Sequence, residues 1–348
     1  MKEKMKQLAN YYKPYRFLFW SDMVVAVIGA GITLVIPLIV RYITNHVIHL
    51  ENPLQMILKL AVLMLGLVVL EAFCNFYQAY YGHIMGAKME RDMRAEIFEH
   101  YQKLSFHFYD NQKVGQLLSR ITNDLFEISE LLHHGPEDVV ISLIKFVGSF
   151  IILCTINPAL TLVTFAFLPP ILIYAFLLNG RMKRAFKLRR EKIADINTQI
   201  EDSLAGIRAV KSFGNEEIEM EKFARGNEAF VDSKRISYRY MGLYHSGLGA
   251  MTTMVTIGVL VAGAVMMTNG RLELTDLITF LLYINNFTEP VKKLIDFTEQ
   301  FQNGYTGYER FLEIMNVDPD IKDAPDAVKL SDVKGDITFE DVSFRYEE

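Results

Sequence analysis

Cysteine and charge are both scarce in this sequence, and each shortage excludes a class of protein. The chain has 348 residues and two cysteines, Cys74 and Cys154, neither of which has metal-ligand spacing or a disulfide framework around it. We expect two buried, reduced thiols. Charged residues make up 22% of the chain and hydrophobic residues 51%, a balance that favours a membrane protein over a soluble enzyme.

A phosphate-binding loop is also missing. The pattern G-x-x-x-x-G-K-S/T does not occur, so the chain lacks the backbone cradle, the lysine and the hydroxyl that hold nucleotide phosphates and Mg²⁺. We therefore expect no catalytic residue in this chain and no ATP hydrolysis by it alone.

Apolar runs are what the sequence has in abundance. They are about 20 residues long, which is the length of a helix that crosses a ~30 Å hydrocarbon core. The first run is too long for a cleaved signal peptide, so we expect it to remain as an anchor. Six membrane-spanning helices are predicted, at residues 17–40, 57–81, 139–156, 159–178, 246–267 and 274–294.

Lysine and arginine predict the orientation. Connections 82–136 and 179–245 are long and basic, whereas the other three are short with few positive charges. By the positive-inside rule, the long connections and both termini are cytoplasmic, in a multi-pass protein of the cell membrane. Basic residues 181–190 favour contact with anionic lipid headgroups, and no nucleic-acid partner is expected. Residues 1–16, basic and rich in tyrosine, predict an interfacial elbow helix, with a simple basic flank as the alternative.

The two long connections have the composition of helices. Residues 87–102 and 182–204 contain no glycine or proline, and apolar residues recur at spacings of three and four. We expect the spans to continue as helices far into the cytoplasm, with a separate small helical domain in each connection as the alternative. One turn pattern breaks each connection, around Asp110 and Gly115 in the first and at Gly214 in the second.

The broken connections resemble the intracellular loops of ATP-binding-cassette (ABC) exporters. Residues 108–124 are similar to that family's pattern of an aromatic, an acidic turn, Gly, two apolar residues, Ser-Arg and Thr-Asn-Asp. Residues 204–217 are similar to its Leu-Ala-Gly-Ile-Arg, Val-Lys, Phe-Gly and Glu-Glu pattern. The resemblance covers essentially the whole chain. It implies an all-α membrane protein, with residues 17–315 as the six-helix transmembrane domain of a type I half-transporter.

The same resemblance implies two coupling segments that dock on nucleotide-binding domains, with simple chain reversal as the alternative. It also implies a homo- or heterodimer within the lipid bilayer, ATP and Mg²⁺ as the cofactors of the full-length protein, and alternating access as the mechanism. The coupling segments would be Asp110, Asn111, Gln112, Lys113, Val114 and Gly115, and Ser212, Phe213, Gly214, Asn215, Glu216 and Glu217.

The C-terminal residues resemble the beginning of an ABC ATPase domain. Residues 316–335 are predicted to be a linker, and alternating apolar residues in 336–348 predict two short strands of a truncated nucleotide-binding domain. In that family, the position of Tyr346 stacks on adenine. We expect a fragment boundary here, and a natural permease with a separately encoded ATPase is the alternative.

Polar side chains at membrane depth are costly, and they usually face a cavity or one another. One stripe lies in the second span and one in the sixth, and a lysine in the third span is a possible ion-pair partner for either. As a hypothesis, the stripes line an inward-open cavity of acidic character that takes amphipathic or cationic cargo; mutual pairing between helices is the alternative. The residues are Glu71, Asn75 and Gln78, then Asn285, Glu289 and Lys292 or Lys293, and Lys145.

Adjacent histidines give no metal site by the same sequence reasoning. His133 and His134 point about 100° apart on a helix, and no third ligand is near in sequence, so we expect no metal.

The function that the family resemblance implies is export of a drug-, lipid- or peptide-like cargo. A permease or scaffold subunit that works with a separate ATPase, and a channel or receptor that is not driven by ATP, are the alternatives.

Overall fold

The protein is described by a computed structural model that covers residues 2–110, 112–324, 326–329, 331, 334–335 and 337–344. Twelve α-helices occur in this part of the chain, with short 3₁₀ segments at Asn10–Tyr15 and Val47–His49 and π-helical turns at Gln78–Gly82 and Arg120–Asp124. The helices are α1 (Lys2–Ala9), α2 (Arg16–Asn45), α3 (Pro53–Tyr77), α4 (His83–Lys103), α5 (Phe106–Asp110), α6 (Val114–Ser119), α7 (Leu125–Ile156), α8 (Pro158–Ala166), α9 (Leu168–Ala205), α10 (Ile207–Phe213), α11 (Glu216–Thr268) and α12 (Leu274–Met315).

The helix ends follow local chemistry. Pro53 and Pro158 each occupy the first turn of a helix, where the missing N–H costs nothing. Asn157 caps α8, because its side-chain oxygen accepts a hydrogen bond from the backbone N–H of Leu160 at 3.0 Å. Gly214 ends α10 in the left-handed region, at φ 63°, a conformation that glycine adopts without strain.

The predicted long helices are confirmed. The helix α9 has 38 residues, α11 has 53 and α12 has 42. At 1.5 Å per residue, α11 is ~80 Å long, which is more than twice the thickness of a hydrocarbon core. The spans therefore extend well beyond the membrane, and the alternative of a separate helical domain in each connection is not observed.

Five of the six predicted spans lie in helices that are long and apolar enough to cross a membrane. The helix α12 does not reach that composition, because Asn285, Asn286 and Glu289 interrupt its apolar first half. It nevertheless packs along α7 and also contacts α2 and α11. The sixth span therefore stays a prediction, on a helix of the expected position and length.

The buried core has two parts. One joins α2, α7, α8, α9, α11 and α12 within the apolar spans, with Phe280, Tyr283 and Phe287 of α12 wholly buried at its centre. The other lies beyond the spans, where α1 and α4 pack against α7 and the end of α12. A polar gap lies between α2, α3, α7 and α12.

The predicted C-terminal strands are not formed in the part of the chain described here. Residues 337–344 contain no strand, and Ile337, Phe339 and Val342 are all more than 60% exposed. A strand needs a neighbour for its backbone hydrogen bonds and a core for its apolar face. The described residues supply neither, so the alternating pattern alone does not produce a sheet.

Candidate transport cavity and coupling turns

A polar cavity of about 510 Å³ opens between α2, α3, α7 and α12. Small residues on one wall, among them Gly29 and Ala30 of α2, leave the space free. The opposite walls carry most of the polar side chains that the sequence singled out. Those that line the cavity are Glu71, Asn75, Gln78, Lys145 and Glu289.

Asn285 does not line the cavity, whereas Asn286, Glu289 and Lys293 of the same helix do. These three residues are spaced by three and four, so they share a face of α12. Asn286 donates a hydrogen bond to the backbone oxygen of Thr33 at 2.9 Å, which links α12 to α2 beside the cavity.

Ion pairs balance the charge of the cavity. The predicted partnership of Lys145 with one of the stripes is observed: its Nζ lies 3.3 Å from Glu289 Oε2. The Nζ of Lys293 lies 2.9 Å from Asp138 Oδ1. Glu71 of α3 lines the same cavity but makes neither of these pairs. The cavity is therefore mixed in charge, and its acidic character is weaker than the sequence suggested.

Three histidines meet at one end of this cavity. His133 Nε2 lies 3.1 Å from His83 Nδ1, and the ring centroids of His133 and His134 are 4.2 Å apart. The third imidazole comes from the start of α4, 50 residues earlier in the chain. Sequence reasoning missed this group because it looked for a third ligand near the pair in sequence, and helix packing supplies one from elsewhere.

The first coupling segment is a turn between two short helices. Asp110 ends α5, Val114 and Gly115 begin α6, and Gln112 and Lys113 connect them. Asn111 lies outside the described residues. Val114 is 77% exposed, so this turn presents an apolar side chain to its surroundings.

The second predicted coupling segment spans the end of one helix and the start of the next. Ser212 and Phe213 are the last two residues of α10. The left-handed Gly214 ends that helix and reverses the chain. Glu216 and Glu217 already belong to α11, where their charges favour the positive end of the helix dipole.

The second turn carries both a charged pair and exposed apolar side chains. A hydrogen bond from Lys211 Nζ to Glu216 Oε1, at 2.9 Å, spans the turn and lowers the pKa of Glu216. Phe213 is 78% exposed at the tip. Behind it, a groove of about 250 Å³ runs between α9, α10 and α11, with Leu204, Ile207 and Met220 among its walls. Tyr346, the predicted adenine-stacking residue, lies outside the described residues.

Comparisons with known proteins bear on both the polar cavity and the two turns. Residues 19–291 match the model of the ABC transporter transmembrane region. A Bacillus subtilis protein named as an uncharacterized ABC transporter ATP-binding protein, YwjA, is 36% identical over 99% of this chain and 60% of its own length. YgaD of the same organism, named a putative multidrug export ATP-binding/permease protein, is 23% identical over 99% of this chain and 60% of its own length.

A Staphylococcus aureus relative that is also named a putative multidrug export ATP-binding/permease protein, SAOUHSC_02003, is 23% identical over 98% of this chain and 60% of its own length. This chain thus spans about 60% of the length of such relatives. The family match covers most of the present chain, including both turns and every residue that lines the polar cavity except Lys293. The chain belongs to the family of ABC transporter transmembrane regions.

Proposed function

We propose that this chain is the membrane-spanning half of an ATP-driven exporter that moves amphipathic or cationic cargo by alternating access. The observation that carries the proposal is the polar cavity among apolar helices, joined by continuous helices to two exposed turns. Glu71 offers a carboxylate in that cavity outside the two ion pairs described above. A cationic group with an apolar body matches such a wall, and the multidrug names of two relatives agree with that chemistry.

The coupling turns connect this cavity to the nucleotide-binding domains. The tips of both turns expose apolar side chains, Val114 in the first and Phe213 in the second, as a docking surface requires. The helix α11 runs without interruption from Glu216 to Thr268 and can transmit a displacement of the turn into the membrane. Closure of two nucleotide-binding domains around ATP and Mg²⁺ would then bias the cavity between two states.

The partners follow from the same scheme. Each turn docks on a nucleotide-binding domain, and the functional unit is a homo- or heterodimer in the lipid bilayer. The long helical connections and both termini face the cytoplasm, by the positive-inside rule. Residues 316–335 lead to the nucleotide-binding domain, in which Tyr346 contacts adenine.

The test uses the full-length protein, reconstituted in liposomes and supplied with ATP and a cationic amphipathic dye. Glu71→Gln combined with Glu289→Gln should lower dye-stimulated ATPase activity and dye transport, while basal ATPase activity remains. Glu51→Gln, at an exposed connection outside the cavity, serves as the matched control.

Two outcomes would contradict the proposal. Unchanged stimulation in the double variant would show that the cavity does not recognise the cation. Dye flux or ion conductance that persists without ATP would instead support the channel interpretation.

A further inference from the structure

Three side chains with unpaired polar atoms meet at the junction of α2 and α7. Asp22 of α2 is 0% exposed, and His133 and Glu137 of α7 are 2% and 8% exposed. The two α7 residues are four apart and therefore lie on one helix face. One ligand atom from each of the three side chains lies within 4.8 Å of the others.

Four polar atoms of this group have no hydrogen-bond partner within the described residues. They are both carboxylate oxygens of Asp22, His133 Nδ1 and Glu137 Oε2. His133 Nδ1 and Glu137 Oε2 lie 3.9 Å apart, which is too long for a hydrogen bond. Buried, unpaired polar groups are rare because each costs free energy, so a cluster of them at one point requires an explanation.

The neighbouring lysine side chains do not explain the cluster, because they are paired with other carboxylates. Lys293 of α12 is the lysine on this side of the cavity, and its Nζ is bonded to Asp138 at 2.9 Å. Lys145 is paired with Glu289. When both carboxyl groups are ionised and the imidazole is neutral, the group carries two negative charges, which one divalent cation neutralises.

The second nitrogen of His133 is already oriented. His133 Nε2 lies 3.1 Å from His83 Nδ1. In the tautomer where His133 Nε2–H donates to His83, the lone pair of His133 Nδ1 is free and points away from that bond. A hydrogen bond of this kind on the far nitrogen is what fixes the ring of most metal-binding histidines. Gly82 preserves the arrangement, because a Cβ at that position would collide with the imidazole of His133.

We propose that Asp22, His133 and Glu137 bind one divalent transition-metal ion of the Zn²⁺ or Co²⁺ class. Imidazole nitrogen with carboxylate oxygen is a ligand set that suits these ions, and both oxygens of Asp22 are available to complete a four-coordinate site. The ion joins α2 to α7 at the end of the cavity where the three histidines meet. Two helices that border the cavity are thereby held at a fixed separation.

The test is Co²⁺ and Zn²⁺ binding to the purified full-length protein in detergent, without nucleotide or cargo. We expect one ion per chain and a visible Co²⁺ absorption band of low-symmetry coordination, which Zn²⁺ abolishes by competition. Loss of an outer hydrogen bond alone weakens metal sites about 10- to 100-fold, so Asp22→Asn and His133→Gln should each raise the Kd at least tenfold. His49→Gln, at an exposed position beyond the end of α2, should leave the Kd unchanged.

A second readout covers variants that fold poorly. Zn²⁺ should raise the midpoint of thermal unfolding of the natural protein and of His49→Gln, and should not raise that of Glu137→Gln, as followed by gel filtration.

Binding that is unchanged in Asp22→Asn overturns the proposal. So does binding that is lost in His83→Gln with His134→Gln yet kept in Asp22→Asn, because the three imidazoles would then form the site. A stoichiometry below one ion, with an infrared band of a protonated carboxyl that disappears in Glu137→Gln, also overturns it. Since ATP and cargo are absent, these results are independent of the proposed transport.

Discussion

The two helical extensions of the bundle beyond the apolar spans are built in opposite ways. The first extension, formed by α1, α4, the start of α7 and the end of α12, encloses its own apolar core. The second, formed by the end of α9, α10 and the start of α11, has few buried side chains: Ala185 and Ile196 are its buried apolar ones on α9. At its tip, Leu204, Phe213 and Met220 are 63%, 78% and 66% exposed.

Polar contacts follow the same division. In the first extension, Tyr11 and Tyr15 donate hydrogen bonds of 2.5 Å to Glu96 and Asp92 of α4, so that the N-terminal segment is attached to the bundle. Ion pairs near the tip of the second extension, such as Lys211 with Glu216, are local along the chain. The comparison teaches that the first extension is stabilised within this chain, whereas the apolar tip of the second has a surface suited to another domain.

Core truncation should separate the two extensions most strongly. Phe311→Ala removes a ring that is 2% exposed, and it should cost about 3–5 kcal/mol of stability. The same change at Phe213 removes a ring that is 78% exposed and should leave stability within about 0.5 kcal/mol. Thermal unfolding midpoints in detergent measure both. Equal shifts for the two variants would show that the second extension has a hidden core and would end the comparison.

Glycine substitutions give the next largest expected difference. A Cβ at Gly304 of α12 would lie 2.5 Å from Leu131 Cβ and 2.8 Å from the Glu127 carbonyl oxygen of α7. Gly304→Ala should therefore force the helices apart, at a cost of about 1–3 kcal/mol. At Gly180 of α9 nothing lies within 4 Å, so Gly180→Ala should stabilise by about 0.5–1 kcal/mol. Shifts of the same sign in the unfolding midpoint would contradict the close approach of α7 and α12.

The two coupling turns should respond differently to alanine. Gly214 has φ 63°, so Gly214→Ala should strain the second turn by about 1–2 kcal/mol and, in the full-length protein, reduce cargo-stimulated ATPase activity. Gly115 lies in α6 with no atom near its Cβ position, and Gly115→Ala should be neutral or slightly favourable. ATPase assays with and without cargo, beside the unfolding midpoint, compare the pair. A normal coupling ratio in Gly214→Ala would show that the turn geometry is not needed.

The smallest expected effect is a pH dependence of the first extension. A hydrogen bond from Lys4 lowers the pKa of Glu309 below its ordinary value of 4.5. Because the folded-state pKa is lowered, the contribution to stability is fully present above pH 4.5 and is lost as pH falls through the lowered value. Lys4→Met should therefore lower the unfolding midpoint slightly at neutral pH, and the difference from the natural protein should vanish in acid. A difference that persists in acid would assign the effect to packing of the Lys4 stem.

Much of the fold could be predicted because it depends on local properties. Apolar run length predicted five spans that the structure bears out, and the composition of residues 182–204 predicted the extension of α9. The break at Gly214, where α10 ends, was predicted from glycine chemistry. The strands in 336–348 were predicted from alternation, which does not include the partner that a strand needs.

Helix rotation and helix pairing decided the rest. Asn285 and Asn286 are neighbours in sequence, and only the packing of α12 against α2 places the second one in the cavity. The link between Lys145 and Glu289 could be proposed from the sequence as one of two options, and helix contact selected it.

The sequence by itself determined that this protein is a bundle of long membrane helices with two turns in its long connections, because hydropathy, helix propensity and glycine act over a few residues. Only the tertiary structure decided which polar side chains share a cavity, and that Asp22 meets His133 and Glu137 across two helices. Such meetings depend on how each helix is rotated and where it crosses its neighbour. Those quantities are set by packing among residues far apart in the chain.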